Sequence, residues 1–390
     1  MSDAPIRTVP EIRETINVFW FRRDLRVHDN HGLWQALRAG RPVMPLFIFD
    51  TDILNKLEDK NDRRLSFIYD LLKALNDRFI AEGSGLCTLF GKPVDVFAAL
   101  GSRIDIDTVF ANEDYEPYAR QRDEGVQKTL GAKGTRLLLF SDQLVCPPGE
   151  VLKPDGKPYT VFTPFSRKWK EVVGAAPQPY YPSEEALRML LRVRDLPFLT
   201  LAELGFHQSH YDVAPPIPDL RIIHNYADTR NLPGIRGTTR LGPHLRFGSV
   251  SARQMVALAR ETSDAWLNEL IWREFFMHIL WHFPQVERRA FRPEYDRIAW
   301  RNDMESFERW KNGTTGFPIV DAGMRELEAT GFMHNRVRMI TASFLVKHLL
   351  IDWRLGEHWF ARKLMDFELS SNNGNWQWAA GTGCDAAPYF

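Results

Sequence analysis

Cysteine is scarce: the 390 residues hold three, Cys87, Cys146 and Cys384, and no two stand in a CxxC spacing. Neither a disulfide framework nor a zinc site is expected, and a reducing, cytoplasmic setting is. No apolar run reaches bilayer-crossing length, and the opening MSDAPIRTVPEIRET has no signal-peptide core, so no membrane association is expected. Net charge is also absent, because 50 Lys and Arg balance 50 Asp and Glu. That excludes a polycation that would adhere to nucleic acid over its whole surface. No GxGxxG follows the first apolar run, so nothing argues for a dinucleotide in the first part of the chain.

What is present divides the chain. Short apolar runs rich in β-branched and aromatic residues fall at 17–22, 43–49, 86–90, 107–112 and 135–140. They alternate with helical patterns at DNHGLWQALRAG, 62–81, 93–101 and 114–131. This alternation predicts an open, parallel, Rossmann-like α/β domain over 15–142. From 143 to 215 prolines recur with little periodicity, which predicts a surface connector whose one docked helix is YTVFTPFSRKWK, 159–170. From 216 to 390 the apolar spacing is helical, with helices expected at 250–260, 264–283, 302–311, 318–330, 334–353 and 357–370. The second half is expected to be all-α.

The chemistry-bearing residues gather in that half. Between Asp219 and Trp300 every Lys or Arg position is arginine, and nine of the twelve tryptophans follow residue 260. Arginine interleaved with aromatics suits gripping a phosphate backbone while stacking bases, though a solvated charged face has the same composition. RGTTRLGP (236–243) sets hydroxyls and backbone N–H groups before a helix, as a diphosphate cradle or a plain N-cap does. Glu269, Trp272 and Phe276 stand at i, i+3 and i+7, an odd core but a sensible receptor for a base. Asn335 and Met339 share a second helical face with Arg336 beside them. In DFELSSNNGNWQWAAGTGCDAAPYF (366–390), Trp376 and Trp378 are two apart, so on a helix they would face different pockets.

Matching motifs run in order along nearly the whole chain: FWFRRDLRVHDN (19–30), RGTTRLGPHLRFGSVSARQ (236–254), LNELIWREFF (267–276), TGFPIVDAGMREL (315–327) and GFMHNRVRMITASFLVKHLLIDW (331–353). With 366–390 they make the chain resemble the photolyase/cryptochrome family, and within it the class I members that act on cyclobutane pyrimidine dimers. The resemblance implies FAD held by Tyr226, Thr238, Thr239, Arg240, Leu241, Gly242 and Trp266. It adds an Arg338–Asp366 ion pair against the flavin, with Phe367 and Glu368 next to it and Asn372 facing its reactive nitrogen. Repairing members carry Asn at that last position. A lesion pocket is implied from Glu269, Trp272, Phe276, Asn335, Met339 and Trp378, with Arg230, Arg273 and Arg336 serving the DNA strand.

The same resemblance implies an electron relay through Trp300, Trp353 and Trp376, and an antenna chromophore near Asn112 and Glu113. Those two positions match members with a folate antenna and so point to 5,10-methenyltetrahydrofolate, with a deazaflavin as the alternative. The expected activity is light-driven electron transfer from reduced FAD to a flipped-out pyrimidine dimer in single- or double-stranded DNA, by a monomer without a metal. Two other activities stay open: a cryptochrome-type photoreceptor, and a (6-4) photoproduct photolyase, for which His334 would be the candidate histidine. Glu368 stands where many members have Asp. Family members also continue past the equivalent of Phe390, so the helical half is expected to be truncated.

Overall fold

A computed structural model describes residues 9–176, 178–193 and 195–385. The chain divides into two compact units, one of Met1–Val145, Pro179–Tyr211 and Phe247–Gln254, the other of Cys146–Gln178, Asp212–Arg246 and Met255–Phe390.

The first unit is built on a parallel sheet of β1 (Ile16–Phe21), β2 (Val43–Asp50), β3 (Cys87–Gly91), β4 (Ile106–Asn112) and β5 (Arg136–Phe140), in the order β3-β2-β1-β4-β5. The crossovers contain α1 (His31–Arg38), α2 (Arg63–Ala81), α3 (Pro93–Leu100) and α4 (Pro117–Gly131). β1 is central, with Val18 opposite both Met44 and Val109. All six of its residues are buried. A strand covered on both faces has no polar side to show, which is why INVFWF is apolar at every position but the buried Asn17. α1 starts where Asn30 accepts a hydrogen bond from the Leu33 N–H at 3.1 Å.

The stretch 143–215, expected as a connector draped over the surface, is shared between the two units. Its second part adds core to the first unit: Leu187, Leu190, Leu191 and Leu196 are buried, and the Leu191 N–H donates to the Val43 carbonyl at 2.8 Å. Proline breaks the periodicity there without removing the leucines, so the pattern conceals the burial. Its first part enters the second unit through α5 (Phe162–Gly174).

The described elements of the second unit are helical. They include α6 (Asp264–His282), α7 (Met304–Lys311), α8 (Pro318–Thr330), α9 (Asn335–Ser343), α10 (Trp353–Lys363) and α11 (Leu369–Ala380). The single helix expected over 334–353 is not continuous. After α9 comes a π-helical turn, Phe344–His348, and then Leu350 with a left-handed φ of 56°. Asp352 caps the next helix by accepting from the Arg354 N–H at 3.0 Å, so Trp353 opens α10 and does not close α9. The core joins Trp310, Trp353, Phe360 and Trp376 with Met324, Leu345 and Ile351.

Candidate functional site

α11 explains its own composition through three adjacent stripes. Asn373 and Gln377, one turn apart, hold the turn before residue 290: both side-chain amides donate to the Val286 carbonyl, at 2.9 and 3.1 Å. Gln377 also accepts from the Phe291 N–H at 2.8 Å. Asn372 and Trp376 form the second stripe and line one cavity. Ser371, Asn375 and Trp378, at i, i+4 and i+7, form the third and line a second cavity, a cleft of about 340 Å³. The asparagines of this stretch are hydrogen-bonding groups on a helix.

Close approach is made possible by glycine at two places. A Cβ on Gly374 would lie 2.2 Å from the Phe276 ring, and one on Gly356 would lie 2.2 Å from the Trp376 indole. Phe276 therefore crosses the backbone of α11 on one side, and α10 lies against Trp376 on the other.

Around the first cavity stand Asn335, Arg338 and Met339 of α9, Phe360 of α10, and Asp366, Phe367 and Glu368 of the segment leading into α11. Arg338 donates to both carboxylate oxygens of Asp366, at 2.9 and 3.1 Å, and to the Met333 carbonyl at 2.8 Å. Glu368 is buried and accepts from Arg246 at 2.9 Å. The Asn372 amide donates to the Glu357 carboxylate at 2.8 Å and to its backbone carbonyl at 3.1 Å. Burial pushes the Glu357 carboxyl above its ordinary range, and the Asn372 bond pulls it partly back. Apolar walls with amides and one ion pair at the edge suit a flat heteroaromatic ring with polar edges, which is the chemistry of a flavin.

The second cavity is lined by Arg230, by Glu269, Trp272, Arg273 and Phe276 of α6, and by Arg336 of α9. Arg230 pairs with Glu269 at 2.5 Å. Burial raises the Glu269 carboxyl, and the Arg230 guanidinium lowers it again. Tyr226 lies under the Arg230 guanidinium at 5.8 Å, and burial moves its phenol up to about 12. Arg336 donates to Asn231 at 2.8 Å. Asn335, Met339, Ser371, Asn375 and Trp378 line both cavities and form their common wall.

Other expected residues fall outside these walls. None of Thr238, Thr239, Arg240, Leu241 and Gly242 lines either cavity. They lead into a short helix, Gly242–Phe247, with Arg240 at φ 53° and its guanidinium 4.0 Å from the Phe332 ring centre. Gly242 lies against the site, since a Cβ there would meet Asp366 at 2.7 Å. Trp266 is buried at the start of α6. Of the three tryptophans expected to form a relay, Trp353 and Trp376 are buried and Trp300 packs against their cluster. Asn112, expected beside an antenna, is engaged within the first unit. It donates to Asp24 at 2.6 Å and Asn30 at 2.8 Å, and accepts from the Gly32 N–H at 2.8 Å. Glu113 is half-buried, with its carboxyl raised by burial.

Sequence reasoning missed Glu357, Ser371, Asn375 and Trp310. Asn375 and Ser371 carried a signal, their i, i+4 and i+7 spacing to Trp378. Glu357 carried none, because its partner is distant in sequence.

Two family models match the chain: DNA photolyase over residues 17–183, and the FAD binding domain of DNA photolyase over 266–390. A "Deoxyribodipyrimidine photo-lyase" of Halobacterium salinarum is 38% identical, over 96% of this chain and 84% of the relative. A photolyase from Sulfolobus tokodaii, crystallised with two FAD molecules, superposes with a TM-score of 0.76 at 32% identity, covering 95% of this chain and 84% of that one. The Synechocystis cryptochrome superposes with a TM-score of 0.82 at 26% identity, covering 98% and 84%.

Proposed function

The chain belongs to the DNA photolyase family, and on that premise we propose that it splits cyclobutane pyrimidine dimers in DNA under blue light. Arg338, Asp366 and Asn372 would hold the FAD that, in reduced form, would supply the chemistry, a light-driven electron lent to the dimer and returned. The observation that carries this reading is the common wall of the two cavities, Asn335, Met339, Ser371, Asn375 and Trp378. One side chain's thickness would separate a flavin from a lesion, and no general base or nucleophile would be needed between them.

The roles of the chain's own groups follow from chemistry. The Arg338–Asp366 pair and Asn372 would orient the flavin edge, Asn372 as a neutral amide that does not repel a reduced, negatively charged ring. Trp272 would stack on an extruded base while Glu269 met its polar edge. The dimer inside a duplex must be flipped out to reach them, and a damaged pair costs less to unstack than an intact one. Arg230, Arg273 and Arg336 would hold the strand by its phosphates. Trp300, Trp353 and Trp376 would relay electrons that keep the flavin reduced. A light-harvesting second chromophore, folate or deazaflavin, belongs to the same reading. It would have to use Glu113 and groups other than Asn112, whose amide is engaged.

The second reading is a photoreceptor without repair, favoured by the likeness to a cryptochrome. The (6-4) photoproduct reading has less support, because His334 caps α9, its Nδ1 accepting from the Arg336 N–H at 3.2 Å, and lines neither cavity. The deciding assay is repair of a thymine-dimer oligonucleotide by reduced, flavin-loaded protein in blue light and in darkness. Restoration only in light supports the lyase; flavin photochemistry without restoration supports the photoreceptor. An absorption spectrum of released chromophores identifies the antenna.

A further inference from the structure

Trp272 does not stand alone at the edge of its cavity. The Phe162 ring lies on it face to face, with centroids 3.6 Å apart and planes 3° from parallel. Phe275 meets the indole edge-on at 5.6 Å, and Phe276 is the next ring along at 5.6 Å and 29°. The flanking residues of α6 therefore touch the indole less squarely than Phe162 does, and Phe162 comes from α5, the helix that sequence reasoning left in a connector without a task.

α5 is fixed at three points. Its first N–H, that of Phe162, has no partner within the helix and donates instead to the Asp385 carboxylate at 2.9 Å. One turn on, Phe165 packs on Phe275 at 5.2 Å. Two turns on, the Trp169 indole N–H donates to the buried Glu274 of α6 at 2.6 Å. Positions 162, 165 and 169 share one face, so α5 is a splint laid along α6. A long aromatic side chain at a cavity edge otherwise has alternative rotamers. Here a stacked partner, itself held by a capped helix, leaves the indole one plane.

We propose that Phe162 is a positioning residue for damage recognition: by stacking on Trp272 it presets the plane on which an extruded base is received, and so contributes to discrimination between damaged and intact DNA. This rests on the dimer-repair reading. Phe162 lines neither cavity and would not touch the base; it lowers the ordering that binding must otherwise impose on Trp272.

The test uses flavin-loaded full chain with Phe162→Leu, which keeps apolar bulk but loses the flat face, and Phe162→Tyr, which keeps it. Probes are a duplex containing one thymine dimer and its undamaged twin. Phe162→Leu is expected to weaken binding of the dimer duplex at least tenfold and of the undamaged one by less than twofold. Repair per absorbed photon at saturating DNA should change by less than twofold. Phe162→Tyr should restore the dimer affinity. Near-ultraviolet circular dichroism of the DNA-free protein gives an independent reading: the stacked-indole signal is lost with Leu and kept with Tyr. Equal weakening for both duplexes, wild-type affinity in Phe162→Leu, or an unchanged dichroism spectrum overturns the proposal. A wild-type chain that does not distinguish the two duplexes overturns the repair reading itself.

Discussion

Asn372 on α11 donates its amide to the buried Glu357 carboxylate of α10 at 2.8 Å, which ties a wall of the first cavity to a titratable group behind it. Burial raises the Glu357 carboxyl above its ordinary value of 4.5. A carboxyl raised in the folded state contributes stability that is fully present below its unfolded value and is lost as pH rises through the folded one. Glu357→Gln keeps an acceptor for Asn372 and removes the charge. The variant should melt higher than wild type at pH 8, by on the order of 1 kcal/mol, with the gap closing toward pH 4.5. Thermal melts across that range check this, and a gap that widens at low pH would contradict it.

Gly356→Ala reverses the usual sign for a helical glycine. In an open helix interior the change gains about 1 kcal/mol. Here the added carbon lies 2.2 Å from Trp376 and 2.5 Å from Leu345, both buried. Overpacking of this kind costs about 1–3 kcal/mol and wins. A lower denaturant midpoint with reduced flavin content is expected; a stabilised variant would mean that Trp376 has room the structure does not give it.

The first unit was legible because most of its parallel strands are buried on both faces and leave near-continuous apolar runs, as VFWF does within β1. The helical half was legible in kind but not at its breaks. Nothing in the apolar period of 334–353 marks the left-handed Leu350, whereas Asp352 before Trp353 was a readable cap. Helical spacing put Glu269, Trp272 and Phe276 on one face of a helix, but only the family resemblance implied a pocket there and added Arg230, Arg273, Asn335, Arg336, Met339 and Trp378 to it. Glu357 and Phe162 stayed hidden for a common reason: their partners, Asn372 and Trp272, lie on other helices, and periodicity within one segment carries no information about contacts between segments.

Arg230 and Glu269 should separate grip from recognition, although they form one ion pair. On the proposed reading Arg230 holds a phosphate and Glu269 the base edge. Arg230→Ala should then weaken damaged and undamaged DNA alike and lower the slope of log affinity against log salt by about one. Glu269→Ala removes a partner for the base edge, so it should weaken only damaged DNA, about tenfold or more, and leave undamaged binding unchanged or tighter because Arg230 is freed. Titrations from 50 to 200 mM salt resolve the two. Identical profiles would place both residues on the strand.

Trp376→Phe should slow light-driven reduction of bound flavin about tenfold or more while sparing repair by chemically pre-reduced protein. Trp376 is buried and meets Phe360 edge-on at 5.0 Å and Trp310 at 6.1 Å, so phenylalanine keeps most of the packing and removes the readily oxidised indole. Transient absorption and a repair assay on one preparation check this. Equal loss of both activities would assign Trp376 to the fold and not to the relay.

The buried charges of the first unit predict the opposite pH dependence from Glu357. Arg253 donates to Asp142 at 2.8 Å and pairs with Asp29 at 3.0 Å, while Arg26 donates to the other Asp142 oxygen at 2.7 Å. Burial alone would raise the Asp142 carboxyl, but the two guanidinium groups outweigh it and hold it below its ordinary value of 3.8. Stability from such a group is present above the unfolded value and lost as pH falls through the folded one. Arg253→Ala takes one of the two guanidinium partners from Asp142 and the ion pair from Asp29, both buried, at a cost of about 3–5 kcal/mol near neutral pH. With Asp142 less depressed, the variant has less of this stability left to lose on acidification. The difference in melting temperature between wild type and variant should therefore be largest at pH 7 and shrink by pH 3.5. A difference that stays constant would mean that Arg253 acts by packing on Tyr181, whose ring lies 4.9 Å from its guanidinium, and not by charge.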